Sequence, residues 1–102
     1  MRKKAYGTYD KNGEELKIME WEIDVDNKDR SIWLSANYVS KDDAVVIKFT
    51  DSTLTIFCEM VDKAYDITPL ERERLNGLIE MNPLKYWELI SSDLIREYIE
   101  QN

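Results

Sequence analysis

The stretch Ala44-Val45-Val46-Ile47-Lys48-Phe49-Thr50-Asp51-Ser52-Thr53-Leu54-Thr55-Ile56-Phe57-Cys58 carries two alternating runs on either side of a polar pair. With Asp51-Ser52 as a two-residue loop, Phe49 faces Leu54, Ile47 faces Ile56 and Val45 faces Cys58, all on one side. Lys48 with Thr55, and Ala44 with Glu59, fall on the other side together with Val46 and Phe57. Two strands that agree on one buried face predict a hairpin, and Lys41-Asp42-Asp43 supplies the turn that leads into it.

Working back from this hairpin, Ser31 to Ser40 reads as a third strand with Ile32, Leu34, Ala36 and Tyr38 on one face, preceded by a loop around Asn27-Lys28-Asp29-Arg30. Asn12-Gly13 tolerates the positive φ of a tight hairpin turn and pairs Lys11 with Glu14, Tyr9 with Leu16 and Tyr6 with Met19. The strand from about Glu15 to Val25 switches face: Leu16 and Ile18 are apolar on one side, then Met19, Trp21, Ile23 and Val25 on the other. A period of two cannot change phase without a bulge, so a bend is expected near Ile18 and Met19, with Gly7 opposite making room.

Beyond Asp62 the period changes. Thr68-Pro69-Leu70-Glu71 is a capping box with proline at the first helical position, and Leu75, Leu78 and Ile79 follow as an apolar stripe. Asn82-Pro83 ends this helix and starts the next, in which Leu84, Trp87, Ile90, Leu94, Ile95 and Tyr98 share a face. Ser91-Ser92-Asp93 is a candidate interruption, but the spacing favours one continuous helix. The expectation is therefore an α+β chain, 1–102 as a single domain. An antiparallel meander of about five short strands over roughly 4–61 forms a curved sheet or partly open barrel, and two C-terminal helices follow over roughly 69–81 and 83–100.

The chain has 102 residues, 43% of them apolar, enough for one core that buries roughly two-thirds of the unfolded surface. Fourteen basic against 21 acidic residues give a net charge of -7, which opposes direct binding to nucleic acid or anionic lipid and favours a basic partner. No histidine is present, which removes the commonest general base and metal ligand. The single cysteine, Cys58, suits a reducing compartment and is expected in the core, and no stretch is long and apolar enough for a membrane span, so the protein is expected in the cytoplasm. Arg2, Lys3 and Lys4 read as a solvated basic tail.

Asp24-Val25-Asp26-Asn27-Lys28-Asp29 begins like a calcium loop, but Lys28 and Asp29 stand at its fifth and sixth positions and Ser35 at its twelfth, so the motif fails. No phosphate loop or nucleophile with a base is present, and the expectation is a non-catalytic protein without cofactor or metal. The candidate binding residues are Glu20, Glu22, Asp24 and Asp26, which alternate along one strand about 6.6 Å apart, together with Trp33 and Tyr86, aromatics that fall off the main apolar stripes. Residues 14 to 30 hold seven acidic and three basic side chains, a density that suits the lysines and arginines of a protein surface that normally holds phosphates.

These features point to a small acidic protein-binding protein that inhibits a basic nucleic-acid-handling protein such as a nuclease. In size and charge it resembles the anti-CRISPR proteins of mobile elements and the immunity proteins that neutralise toxic nucleases, and the resemblance is confined to those bulk properties. The alternatives are an interaction module or small subunit whose acidity only keeps it soluble, and a small-ligand binder or carboxylate enzyme. Homo-oligomerisation stays open.

Overall fold

The computed structural model describes residues 2–11, 14–24, 33–50 and 52–101. Among these, strands β1 (Arg2–Lys11), β2 (Glu14–Asp24), β3 (Trp33–Val39), β4 (Ala44–Phe49) and β5 (Ser52–Phe57) precede helices α1 (Cys58–Ala64), α2 (Pro69–Met81), α3 (Pro83–Ser91) and α4 (Ile95–Gln101). The strands form one antiparallel sheet in the order β1-β2-β5-β4-β3. It is open, with β1 and β3 as its edges, and it departs from the expected meander because β3 lies beside β4 at the far side from β2. β5, whose Leu54 and Ile56 are fully buried, takes the centre.

The bend predicted in β2 is present. Thr8 pairs with Lys17 and Gly7 with Met19, which leaves Ile18 between them as the extra residue of a bulge. The bulge brings Leu16 and Ile18 onto the same core as Met19 and Trp21. A Cβ on Gly7 would stand 2.8 Å from Met19 Cε and 3.2 Å from its Cβ, so the residue without a side chain lets the two strands close. Beyond the bulge the register differs from the simple one: Tyr6 is opposite Glu20, and Lys4 and Arg2, expected as part of a solvated tail, are strand residues opposite Glu22 and Asp24. The Asn12-Gly13 turn, the loop over residues 27–30 and Asp51 lie outside the described residues.

The β4–β5 hairpin keeps the predicted faces but slides by two residues, with Val45 opposite Ile56 and Ile47 opposite Leu54. A slip of two leaves every side chain on its own face, so alternation alone does not distinguish the two registers. Cys58 is thereby released from the strand and opens α1, where Cys58, Val61 and Ala64 are buried at helical spacing. Helix α1 was not anticipated because its N-cap, Phe57, offers no side-chain cap, and its few apolar residues also fit a strand.

Helix α2 spans the predicted residues, and its capping box is complete: Glu71 N–H donates to Thr68 Oγ1 at 3.2 Å and Thr68 N–H to Glu71 Oε1 at 3.0 Å. The expected single helix from Pro83 is two, because the chain turns at Asp93, φ 58°. Leu94 N–H reaches the Leu89 carbonyl at 2.8 Å and Asp93 N–H the Ile90 carbonyl at 3.1 Å, the double bond of a Schellman motif. Helix α1 ends in the same way, with Asp66 at φ 53° and Ile67 N–H on the Asp62 carbonyl at 2.9 Å. Glycine usually marks such ends, and aspartate takes its place here.

Residues of all four helices share one core cluster with Ile18, Val45, Ile47, Leu54 and Ile56 of the strands, so among the described residues the sheet has a helix-covered face and an opposite face that presents Glu20, Glu22, Lys48, Thr53 and Thr55. Two substitutions should stabilise the fold by about 0.5–1 kcal/mol each: Gly77→Ala, since the added Cβ meets nothing within 4 Å on α2, and Asp93→Gly, which removes the left-handed strain. Urea unfolding with an unchanged slope checks both.

Candidate functional site

The acidic row lies within the sheet and not at its edge, since β2 is flanked by β1 and β5. Glu20, with a quarter of its side chain exposed, pairs with Lys17 Nζ at 3.4 Å. The backbone register sets Lys4 opposite Glu22 and Arg2 opposite Asp24. Glu20 itself lies opposite Tyr6 on one side and Thr55 on the other. Asp26 lies outside the described residues, and Trp33 opens β3 opposite Phe49.

Tyr86 corrects the expectation most directly, for it is fully buried and has no surface to offer a partner. Helix α3 packs against β3, α2 and α4 at once, so its core side runs through Pro83, Tyr86, Leu89 and Ile90, while Leu84 and Trp87 of the predicted stripe are only partly buried. The Tyr86 hydroxyl makes no well-formed hydrogen bond to the described residues, and burial followed by the neighbouring Cys58 thiol pushes its pKa well up.

The strongest electrostatic feature was not singled out in the sequence. Arg72 of α2 donates to Asp43 Oδ1 in the β3–β4 turn and, through Nη1 at 2.6 Å, to Asp62 Oδ2 of α1. Asp43 Oδ1 also accepts from the Tyr38 hydroxyl at 2.7 Å, and the Asp43 carbonyl accepts from Cys58 N–H at 3.0 Å. Asp43 holds a left-handed φ of 47°, a conformation that costs a non-glycine residue about 1 kcal/mol and persists because these three bonds determine it.

The titrations follow from this geometry. Burial raises the Asp43 carboxyl, but the bonds from Arg72 and Tyr38 and the Arg72 charge outweigh it and hold its pKa below the ordinary value. At Asp62 burial wins over the single Arg72 bond and its pKa is raised; its other oxygen, Oδ1, is buried without a partner among the described residues. The bond to Asp43, then burial, push Tyr38 up to about 12, and burial pushes Cys58 up to about 11. Cys58 therefore stays a thiol. Nothing in the sequence around Arg72 announces a partner 29 residues away; the adjacent capping box places the helix and leaves the arginine's target open.

Beside this network an open cleft of about 370 Å³ is lined by Leu16, Phe57 and Met60 and by the charged Lys17, Asp42, Asp43 and Glu59. Lys17 Nζ stands 5.3 Å from the centre of the Phe57 ring. Among the described residues no group of three histidine, cysteine or carboxylate side chains is placed to hold a metal ion, and no helix is long and apolar enough to cross a membrane.

A family model described as a family of unknown function (DUF6061) matches residues 30–102. The chain belongs to this family. No curated protein and no solved structure matches the chain. The DUF6061 segment contains β3 to β5, the four helices and every member of the Arg72 network, whereas β1, β2 and the acidic row precede it.

Removing Arg72 should expose its value to the fold. Arg72→Leu leaves two partly buried carboxylates without their cation and should lower stability at pH 7 by about 2 kcal/mol, below the full cost of a deeply buried pair because water screens the more exposed Asp43. In the intact protein Asp43, with a lowered pKa, adds stability above the ordinary carboxylate pKa that is lost as pH falls through its own; Asp62, with a raised pKa, has the opposite sign. In the variant both carboxylates gain from protonation, so the loss should shrink toward pH 4. Denaturant titrations at the two pH values measure it. Native Cys58 should react with thiol reagents at a rate set by unfolding, as followed by mass spectrometry.

Proposed function

We propose that the protein is a non-catalytic protein-binding module whose partner presents a basic surface. The observation that carries the reading is the division of its polar groups. The thiol of Cys58 and the phenol of Tyr86, the side chains with most chemistry to offer, are fully buried and pushed toward their neutral forms. Most of the net charge of -7 is carried outside the Arg72 network. A sheet face that no helix covers among the described residues, bearing Glu20 and Glu22 beside Thr53 and Thr55, and an acid-rimmed cleft beside the β3–β4 turn supply contact areas. Long-range attraction of this kind speeds association and selects partners more than it adds affinity.

In its narrower form the partner is a nucleic-acid-handling protein such as a nuclease, whose phosphate-binding lysines and arginines would be occupied by carboxylates. Capture of partners from a cell extract on immobilised protein, with identification by mass spectrometry, supplies the binding assay. The association rate should fall steeply with ionic strength. Exchanging Glu20, Glu22, Asp24 and Asp26 for their amides should preserve folding, slow association and flatten the salt slope. A folded quadruple variant with unchanged rate and slope would remove the row from the interface.

A further inference from the structure

Resting on the reading that the partner is a basic protein, we propose that the cleft beside the β3–β4 turn takes one lysine or arginine side chain of that partner. The aliphatic stem lies along Leu16, Phe57 and Met60, and the charged head is held by Asp42 and Glu59.

Size is the first argument. About 370 Å³ is at the small end of ligand clefts, room for one long side chain and too little for a helix or strand. The lining is the second, because lysine and arginine bury their methylenes on apolar surface while keeping the charge at a polar edge, and this cleft joins an apolar floor to a carboxylate rim. The third is the commitment of the rim groups. Asp43 is engaged by Arg72 and Tyr38, but Asp42 is exposed and makes no ion pair with the described residues, and Glu59 meets Lys63 at 3.8 Å with both side chains more than half exposed. Such an exposed pair is worth little and yields to a better-placed cation. Phe57 already carries an ammonium group, that of Lys17, which Glu20 balances at 3.4 Å. Finally, Asp42 sits on a turn fixed by its own N–H on the Val39 carbonyl at 3.2 Å and by the Arg72 network at the next residue, so little ordering is needed on binding.

The test is a titration of the isotope-labelled full chain, followed by NMR, with blocked Leu-Arg-Leu tripeptide, with its citrulline counterpart, which is neutral but nearly the same shape, and with spermine. The arginine peptide should shift the signals of Leu16, Asp42, Phe57 and Glu59 in preference to the citrulline peptide and to spermine. Asp42→Asn combined with Glu59→Gln should weaken it by about fivefold to tenfold. Lys17→Met should tighten it, because the resident positive charge repels the incoming one. Equal binding of the citrulline peptide, shifts centred on Lys48 and Thr53, or weaker binding by Lys17→Met would each overturn the proposal; tighter binding of spermine in the cleft would transfer it to free polyamines. The captured partner separates this idea from the broader one. If association is salt-sensitive but Asp42→Asn with Glu59→Gln binds as the wild type does, the cleft assignment falls alone; if no basic partner is captured, the functional reading falls first.

Discussion

Arg72 reaches from α2 to two carboxylates that arrive from different parts of the chain, Asp43 from the turn between β3 and β4 and Asp62 from α1. The guanidinium fork joins a sheet turn, the helix that follows the sheet and the helix that starts the C-terminal layer in one contact. Asp43 is the most constrained of the three residues. Its side chain, its carbonyl and its left-handed backbone are each held, and the first residue of α1 is tied to the same turn through Cys58 N–H. The sheet-to-helix transition at Phe57 and Cys58 lacks a side-chain cap, and this tertiary contact supplies the register that a cap would otherwise provide.

Around that clamp the helical layer is built from short pieces. Helices α1 and α3 both stop at an aspartate in the left-handed region, and each stop turns the chain back onto the core: Ile67 after the first, Ile95 after the second, both buried. The two stops let seven- and nine-residue helices cover one face of a five-stranded sheet that a straight helix from Pro83 would have overshot. The consequence for Tyr86 is direct. A helix enclosed by β3, α2 and α4 has little exposed surface on that side, and a residue that a single-stripe projection puts outside is instead among the most buried in the protein.

The electrostatics divide in a way that bears on function. In the network Arg72 meets two carboxylates, one cation against two anions, and in the sheet the backbone register sets Glu22 and Asp24 opposite Lys4 and Arg2. Most of the net charge of -7 lies outside that network, and at the cleft carboxylates meet an apolar floor. On the proposed reading, this distribution attracts a basic partner at long range and the cleft holds one of its cations at short range. The matched family segment includes most of that place, Asp42, Asp43, Phe57, Glu59 and Met60, while Leu16 and Lys17 are contributed by β2.

Local signals determined a large part of the fold. The Thr68-Pro69-Leu70-Glu71 box and the Asn82-Pro83 pair set the start of α2 and α3 because capping and proline stereochemistry act within four residues. The phase switch at Ile18 and Met19 forced a bulge opposite Gly7 because alternation in a strand has no other way to change face. Composition and charge likewise bounded the chemistry. Tertiary structure alone decided the strand order, the two-residue slide of the β4–β5 hairpin, the placement of Arg2 and Lys4 opposite the acidic row, and the burial of Tyr86. Each of these depends on which distant surfaces meet, and a period of two or 3.6 residues carries no information about that. The Arg72 network is the clearest case: Asp43, Asp62 and Arg72 look in the sequence like ordinary solvated charges, and only their convergence at one point makes them the clamp of the fold, with Asp43 also lining the cleft.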